Sequence, residues 1–177
     1  DKKGILVFIG GGGKINYWVE TLKKRWSKKF PIIIERSIFL DRLNLNEFIS
    51  LCNCVDVLLD PFYFGGGNSF LESMVVGTPT VTMPGKNLRE NITFAAYKQM
   101  NIKDSPVVKN KHEYIELAIK LANDKKLKEK LKKELKARAS KYLFKNLKAL
   151  KTHEIFLEQA NNAYINNKNL PDGKIIK

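Results

Sequence analysis

A glycine-rich segment in the middle of the chain, residues 60–74, constrains the fold more than any other part of the sequence. An apolar run at residues 55–59 precedes it and predicts a buried strand, which an Asp-Pro pair closes. Three consecutive glycines follow, and because they carry no Cβ the backbone can pass close to a ligand. Asn68 and Ser69 are both common N-cap residues, so a helix is predicted to begin directly after the glycines.

The predicted strand, glycine loop and helix start together indicate a phosphate site. The N-terminus of a helix offers backbone N–H groups without intrahelical partners and the positive end of the helix dipole. Glu72 lies one turn into this helix, where its carboxylate can accept hydrogen bonds from sugar hydroxyls. A Gly-Thr-Pro sequence then ends the helix, residues 80–83 predict a second buried strand, and Pro84 begins another turn. Two such neighbouring strand ends form a ligand crevice in open α/β sheets, so a nucleotide-sugar site is predicted.

The rest of the chain predicts an α/β fold, with a Rossmann-like parallel sheet flanked by helices and a helical C-terminal tail. Further strands are predicted at residues 5–9, 31–38 and 107–108. Helices are predicted at about residues 15–26, 47–53 (capped by Asn46), 88–100, 111–123, 125–142 and 152–166. Residues 1–110 are expected to form the nucleotide-sugar-binding lobe, and the helices of residues 111–177 are expected to pack on it.

The net charge of +14 raises the question of nucleic-acid binding. Residues 51–100 contain three basic and four acidic side chains, whereas residues 101–150 contain fifteen basic and six acidic ones. The excess of positive charge therefore lies away from the predicted site. Leu127, Leu131 and Leu135 recur every four residues within the most basic run, which predicts a helix with an apolar stripe and a solvated lysine face. Nucleic acid is not the expected partner, because no aromatic side chains for base stacking are interleaved there.

Composition limits the remaining classes of function. At 177 residues the chain suits one domain, and no apolar run approaches the roughly 20 residues of a membrane helix. Cys52 and Cys54 provide too few ligands for zinc and are poorly spaced for a disulfide, so reduced thiols and a cytoplasmic protein are expected. His112 and His153 are isolated and are expected at the surface. No metal site and no hydrolase constellation are predicted.

A second glycine tract, residues 10–14, is a rival phosphate loop. It departs from the Walker pattern because Phe8 stands where the first glycine belongs and Ile15 replaces the Ser or Thr. We interpret it as a turn at the edge of the crevice, and contact with a ligand there stays open.

Residues 55–100 resemble the carboxyl-terminal lobe of the O-linked N-acetylglucosamine transferase family. The resemblance is carried by Asp-Val-Leu-Leu-Asp-Pro-Phe-Tyr-Phe-Gly-Gly-Gly-Asn-Ser, by Glu-Ser-Met-Val-Val-Gly-Thr-Pro-Thr-Val-Thr-Met-Pro-Gly and by Ala-Tyr-Lys-Gln-Met. It is strongest to the bacterial branch, with SPINDLY-like proteins and the cytoplasmic N-glycosyltransferases that modify adhesins. Residues 170–177 also resemble the tail of that lobe.

The resemblance implies half of a GT-B glycosyltransferase, the half that holds a UDP-sugar donor. It implies phosphate contacts and a ribose contact in the central segment, at Gly65, Gly66, Gly67, Asn68, Ser69 and Glu72. It also implies that the loop at residues 39–44, with Arg42 and Leu43, lies against uracil. A plain strand–helix connection with a solvent-facing Arg42 is the alternative. Arg89 is implied either near the sugar or diphosphate, or in a salt bridge between lobes.

The sequence departs from the family pattern in two ways. Animal members have His-Thr-Thr in the loop and Asp at the ribose position, where this chain has Gly-Asn-Ser and Glu72, which keep comparable hydrogen-bonding groups. The family's phosphate-binding lysine and its amino-terminal lobe would precede residue 1, and the chain begins at Asp1, so an incomplete piece of a larger transferase is expected.

The implied function is donor binding within an inverting protein glycosyltransferase. Such an enzyme transfers N-acetylglucosamine or a hexose from UDP to a protein side chain, without a metal or other cofactor. The chain alone is expected to be inactive, since the acceptor would bind through the missing lobe, and the catalytic residues stay unassigned. A noncatalytic interaction module with a degenerate nucleotide-binding fold is the alternative.

Overall fold

The computed structural model describes residues 1, 3–10 and 17–170, in which short parallel strands alternate with helices. The strands are β1 (Leu6–Ile9), β2 (Ser37–Leu40), β3 (Leu58–Leu59) and β4 (Thr80–Val81). The α-helices are α1 (Tyr17–Lys29), α2 (Pro31–Glu35), α3 (Leu45–Cys54), α4 (Asn68–Ser73), α5 (Ile92–Met100), α6 (Lys111–Asn123), α7 (Lys125–Tyr142) and α8 (Leu147–Ile165). A 3-10 helix, Leu88–Glu90, precedes α5. None of the helices in these residues is long and apolar enough to cross a bilayer.

The strands form two parallel pairs. β1 pairs with β2 in the register Leu6–Ser37, and β3 pairs with β4 in the register Leu58–Thr80. The second pair extends at its far edge, where Thr82 makes a parallel bridge to Val107. The prediction of an α/β fold with parallel strands is confirmed. The prediction of a Rossmann-like sheet is confirmed only in part, because the described strands form two small sheets instead of a continuous one.

The predicted strand at residues 31–38 is wrong over its first half. Those residues form α2, and the strand begins only at Ser37. Pro31 occupies the first turn of α2, where its fixed φ suits a helix and its missing N–H costs nothing. The run of β-branched isoleucines therefore indicated the wrong element, because the proline decided the local conformation.

Several predicted boundaries also shift, and capping explains two of them. Asn44, instead of Asn46, caps α3: its side chain accepts a 3.0 Å hydrogen bond from the Glu47 amide, and Glu47 accepts one from the Asn44 amide. Asn146 caps α8 at residue 147, five residues before the predicted start. The strand predicted at 55–59 is shortened to β3, and the helix predicted at 88–100 is divided at Asn91. Helices α6 and α7 begin and end at the predicted residues.

The main core joins the site helix to the C-terminal helices. Phe70 from α4, Met74 at its C-cap and Val81 from β4 are buried in one cluster with side chains from α5, α6 and α7. Leu131 and Leu135 are buried in this cluster and Leu127 is partly buried, so the predicted apolar stripe of α7 is confirmed. Helix α8 contributes no buried residue.

The basic face of α7 is less solvated than the sequence predicted. Lys128 forms an ion pair with Asp56, and Lys132 Nζ donates to Asn53 Oδ1 at 2.8 Å. Arg138 Nε donates to the Met100 carbonyl at 2.5 Å, at the end of α5. Since the C-terminus of a helix carries unpaired carbonyls and negative dipole charge, Lys132 and Arg138 stabilise the ends of α3 and α5.

Tyr97 in α5 hydrogen-bonds the outer edge of β4. The fully buried hydroxyl donates to the Thr80 carbonyl at 2.8 Å and accepts from the Thr80 amide at 3.0 Å. Burial raises the pKa of Tyr97 well above its usual value, so it remains a neutral phenol. One side chain therefore satisfies two buried backbone groups that have no strand partner on that side.

We expect Tyr97→Phe to lower the free energy of unfolding by about 1–3 kcal/mol, because two buried backbone groups lose their partner. Urea denaturation followed by circular dichroism measures the change. Tyr164→Phe is the matched control, since Tyr164 is 82% exposed and should leave stability unchanged. Equal midpoints for Tyr97→Phe and the parent would show that the hydroxyl does not stabilise β4.

Candidate functional site

A pocket of about 210 Å³ lies where three segments of the chain meet. It is lined by the end of β1, by the connection from β2 into α3, and by one residue of α4: Ile9, Arg42, Leu43, Asn44, Leu45, Phe48 and Glu72. Arg42 and Leu43 were predicted as site residues in the loop at residues 39–44, and Glu72 was predicted in the glycine-rich segment. The fold brings these three together in one pocket.

The ends of β1 and β2 form one wall of this pocket. The Gly10 amide donates to the Leu40 carbonyl at 2.7 Å, which joins the two strand ends. Directly after β2 the capping pair of Asn44 and Glu47 fixes the start of α3. Leu43 is half-buried between these anchored points, whereas the Arg42 side chain is exposed at the pocket. The connection is therefore held by backbone and cap hydrogen bonds while Arg42 stays accessible.

Glu72 forms the opposite wall, at the contact between α3 and α4. Its side chain is half-buried and lies near Cys52 of α3. Burial, reinforced by the negative charge of Glu72, raises the pKa of Cys52 to about 11. The end of α3 is held in turn by Thr78, whose hydroxyl donates to the Cys52 carbonyl at 2.6 Å. A carboxylate on a short, packed helix thus faces the pocket from a fixed position.

The glycine loop uses two of its own amides internally. The Gly65 amide donates to the Arg89 carbonyl at 2.9 Å, and the Gly66 amide donates to Asp60 Oδ1 at 2.7 Å. This differs from the expected phosphate contact at Gly66, because its N–H is already engaged. Gly65 is needed for close approach, since a Cβ there would lie 3.2 Å from the Arg89 carbonyl and from both Asp60 carboxylate oxygens.

Helix α4 begins at Asn68, because its N-cap is the residue before the two predicted caps. Gly67 is the N-cap, and Asn68 and Ser69 are the first helical residues, so the prediction that they cap the helix is wrong. Both side chains are exposed. Among the described residues, the amides of Gly67, Asn68 and Ser69 have no hydrogen-bond partner. These three N–H groups lie at the N-terminal end of α4, where helix amides have no intrahelical partner, and their contact with a phosphate stays a prediction.

Asp60 is the residue of this region that sequence reasoning missed. Its buried carboxylate accepts from the Gly66 amide and, through Oδ2, from the Thr82 hydroxyl at 2.7 Å. Its carbonyl accepts a 2.9 Å hydrogen bond from the Tyr114 hydroxyl. Burial and the negative charge of Asp60 raise the pKa of Tyr114. In the sequence Asp60 indicated only the end of a strand, although an acid directly before a glycine loop was the available signal.

Arg89 reaches the glycine loop through its backbone. Its carbonyl accepts the Gly65 amide, while its side chain is exposed and does not line the pocket. The surrounding turn is fixed by Glu90, whose carboxylate accepts from the amides of Lys86 and Asn87 at 2.7 and 2.9 Å. Hydrogen bonds from Asn87 lower the pKa of Glu90. A charged contact from Arg89 to a ligand stays a prediction.

The remaining predicted features lie elsewhere or outside the described residues. Most of the rival tract at residues 10–14 falls outside them, as does most of the predicted tail at 170–177. His112 and His153 are exposed, as predicted. Of the two free cysteines, Cys52 is buried and Cys54 is exposed. Within the described part of the chain, no group of three or more His, Cys, Asp or Glu residues is arranged to hold a metal ion.

Residues 16–153 match the family model for glycosyl transferase family 41. The chain belongs to glycosyl transferase family 41. A probable UDP-N-acetylglucosamine–peptide N-acetylglucosaminyltransferase SPINDLY from Petunia hybrida is 33% identical over 79 residues, which are 45% of this chain and 8% of that protein. A UDP-glucose:protein N-beta-glucosyltransferase from Actinobacillus pleuropneumoniae serotype 5b is 23% identical over 79 residues, 45% of this chain and 13% of that protein.

A solved structure confirms the fold. A mutant O-GlcNAc transferase from Thermobaculum terrenum superposes with a TM-score of 0.71 at 21% identity, over 90% of this chain and 29% of that chain. The predicted resemblance to the O-linked N-acetylglucosamine transferase family is therefore confirmed, with the fold of part of a GT-B enzyme. This family 41 chain spans less than a third of the length of each of these relatives.

The two cysteines should differ strongly in reactivity. We expect iodoacetamide at pH 8 to modify Cys54 and to leave Cys52 unmodified, because Cys52 is buried and its raised pKa leaves little thiolate at that pH. Mass spectrometry of tryptic peptides measures both sites. Cys54→Ser is the control and should leave no reactive thiol until the protein is denatured. Equal rates at the two cysteines would contradict the burial of Cys52 beside Glu72.

Proposed function

We propose that this chain binds the UDP-sugar donor of a protein glycosyltransferase that transfers N-acetylglucosamine or a hexose to a protein side chain. Membership of family 41 supports the reaction class. The observation that carries the donor assignment is the position of Glu72, which faces the same pocket as Arg42 and Leu43 and lies on the first turns of a helix with an open N-terminus.

The order of groups along the site fits a uridine diphosphate. The diphosphate would accept hydrogen bonds from the amides of Gly67, Asn68 and Ser69. One turn further along α4, Glu72 would accept hydrogen bonds from the ribose hydroxyls. The uracil would lie against the β2–α3 connection, where Leu43 offers backbone groups and Arg42 can pack on the ring. Phosphate, ribose and base thus follow one another in the order in which the nucleotide links them.

The chemistry we propose is a metal-free inverting transfer. The acceptor side chain attacks the anomeric carbon on the face opposite the diphosphate, and a new glycosidic bond forms as the acceptor's proton passes to solvent or to the departing UDP. UDP leaves with the electron pair of the broken sugar–phosphate bond. Negative charge develops on the leaving diphosphate, and fixed amides with a helix dipole stabilise such charge without reorganisation. This lowers the barrier to breaking the sugar–phosphate bond.

The acceptor is proposed to bind groups beyond these 177 residues. The similar O-GlcNAc transferase is more than three times as long as the part this chain matches. The names of the relatives specify a UDP-sugar donor and a peptide or protein acceptor for those proteins. We propose the same two kinds of partner here. A cytoplasmic location fits the two unpaired cysteines.

Replacing Glu72 by Ala should weaken UDP binding about tenfold or more, because the ribose would lose one or two charge-assisted hydrogen bonds. Isothermal titration calorimetry with UDP measures the dissociation constant. Glu129→Ala is the matched control, since Glu129 is exposed on α7 and should leave affinity unchanged. An unchanged dissociation constant for Glu72→Ala would place the site elsewhere, with the tract at residues 10–14 as the next candidate.

Asn68→Ala should weaken UDP binding by about threefold or more, because the diphosphate would lose a hydrogen bond from the Asn68 side-chain NH2 group, without lowering the melting temperature. Asn68 is the first helical residue and makes no capping hydrogen bond, so the helix loses nothing when its side chain is removed. Calorimetry and a thermal melt on the same sample measure both quantities. Asn161→Ala, at an exposed position of α8, is the control. A lower melting temperature with unchanged affinity would assign Asn68 a structural role instead.

The UDP titration of the parent chain also separates the alternative functions. Binding of UDP supports the donor lobe. No heat and no thermal shift at millimolar UDP would instead favour a noncatalytic interaction module with a degenerate nucleotide fold. A basic nucleic-acid binder would reveal itself by binding that weakens steeply with salt.

A further inference from the structure

We propose that Asp60 is a positioning residue that holds the glycine loop in its binding shape. The inference rests on the proposed donor site. The Asp60 side chain is 5% exposed, and each carboxylate oxygen accepts one hydrogen bond of 2.7 Å, from the Gly66 amide and from the Thr82 hydroxyl. Among the described residues no cationic side chain forms an ion pair with it.

Core packing does not account for a carboxylate at this position. Burying an ionised group without a countercharge costs free energy, and an apolar residue of similar size fills space more cheaply. What a carboxylate offers here is two acceptors that point in different directions. One acceptor takes an amide of the loop and the other takes a hydroxyl on the chain after β4. Asp60 therefore connects two strand ends with the loop between them.

The geometry of the loop follows from this connection. The chain leaves β3 at Asp60 and returns to the same carboxylate at Gly66, so residues 60–66 form a closed ring. Gly65 lies so close to the carboxylate that a Cβ would meet both oxygens at 3.2 Å. Gly67, the next residue, is the N-cap of α4. The carboxylate thus fixes the backbone one residue before the open helix terminus.

Asp60 binds one amide of the glycine loop, and the three amides that follow have no partner among the described residues. The Gly66 N–H points inward to the carboxylate, whereas the amides of Gly67, Asn68 and Ser69 have no partner among the described residues. Without the Asp60 acceptor for Gly66, the loop keeps the Gly65–Arg89 hydrogen bond but loses its link to the strand ends, so the amides that follow become more mobile. Preorganised donors bind an anion better than mobile ones. Removing the Asp60 carboxylate should therefore lower the affinity for UDP.

Four variants of the full 177-residue chain test this role. Asp60→Ala removes both acceptors. Asp60→Asn keeps the acceptor for Gly66 and can donate to the Thr82 hydroxyl, while Thr82→Val removes only the bond on the strand side. Val19→Ala is the control for general destabilisation, because Val19 is buried in α1 and lies outside the core cluster that contains Phe70 of α4.

Two measurements are made well below the melting temperature of every variant. Hydrogen exchange by NMR reports protection of the Gly66 amide in the free protein, and calorimetry reports the dissociation constant for UDP. We expect Asp60→Ala to raise Gly66 exchange and to weaken UDP binding, each by about tenfold or more. Asp60→Asn and Thr82→Val should change both by only about threefold. Val19→Ala should lower the melting temperature and leave both loop measurements unchanged.

The outcomes distinguish this inference from the proposed function. If the parent binds UDP and Asp60→Ala binds it no worse than Val19→Ala, the inference fails and the donor site stands. If the parent does not bind UDP, the proposed function fails, and Gly66 exchange alone decides whether Asp60 holds the loop. If Asp60→Ala does not fold, Thr82→Val decides, because it loses one of the two bonds to the carboxylate: Gly66 exchange and UDP affinity both equal to the parent would overturn the role.

Discussion

The burial of the apolar stripe of α7 against α4 and α5 is the interaction on which the rest of the structure depends. Helix α4 has six residues, too few to be stable by itself, so it exists because Phe70 and Met74 are packed in the core. Leu131 and Leu135 complete that core from a part of the chain some sixty residues away. The site helix is thus held from behind by the C-terminal helices, which leaves its N-terminus open.

The same packing explains a glycine that sequence reasoning read only as a helix end. Gly77 has a φ of +75°, and a Cβ there would lie 2.3 Å from the Lys132 carbonyl of α7. The chain leaving α4 therefore passes directly against the backbone of α7, which only a residue without a side chain permits. The conformation of the chain after α4 and the packing of α7 against the core therefore depend on each other.

The spacing of apolar residues along the chain was enough to predict the helices whose ends are set by nearby residues. The bounds of α6 and α7 followed from their apolar spacing, and in the structure Asn110 and Asp124 cap the two helices. The strand at residues 31–38 failed because one proline outweighed the isoleucines after it. For the site, the resemblance implied Arg42, Leu43 and Glu72; the three line one pocket, and their contacts with a ligand stay predictions. The role of Asp60 could not be predicted from the sequence. Its partner Thr82 follows another strand, β4, and only the fold brings the two residues together.

The hydrogen bond between the Gly65 amide and the Arg89 carbonyl has a consequence for how the site can change. Both partners are backbone atoms, so the loop after β4 supports the glycine loop whatever side chains it carries. Leu88 is 86% exposed and the Arg89 side chain is exposed beside it. Substitutions at these two positions can therefore change the surface next to the glycine loop. The supporting hydrogen bond is kept, because it depends on no side chain.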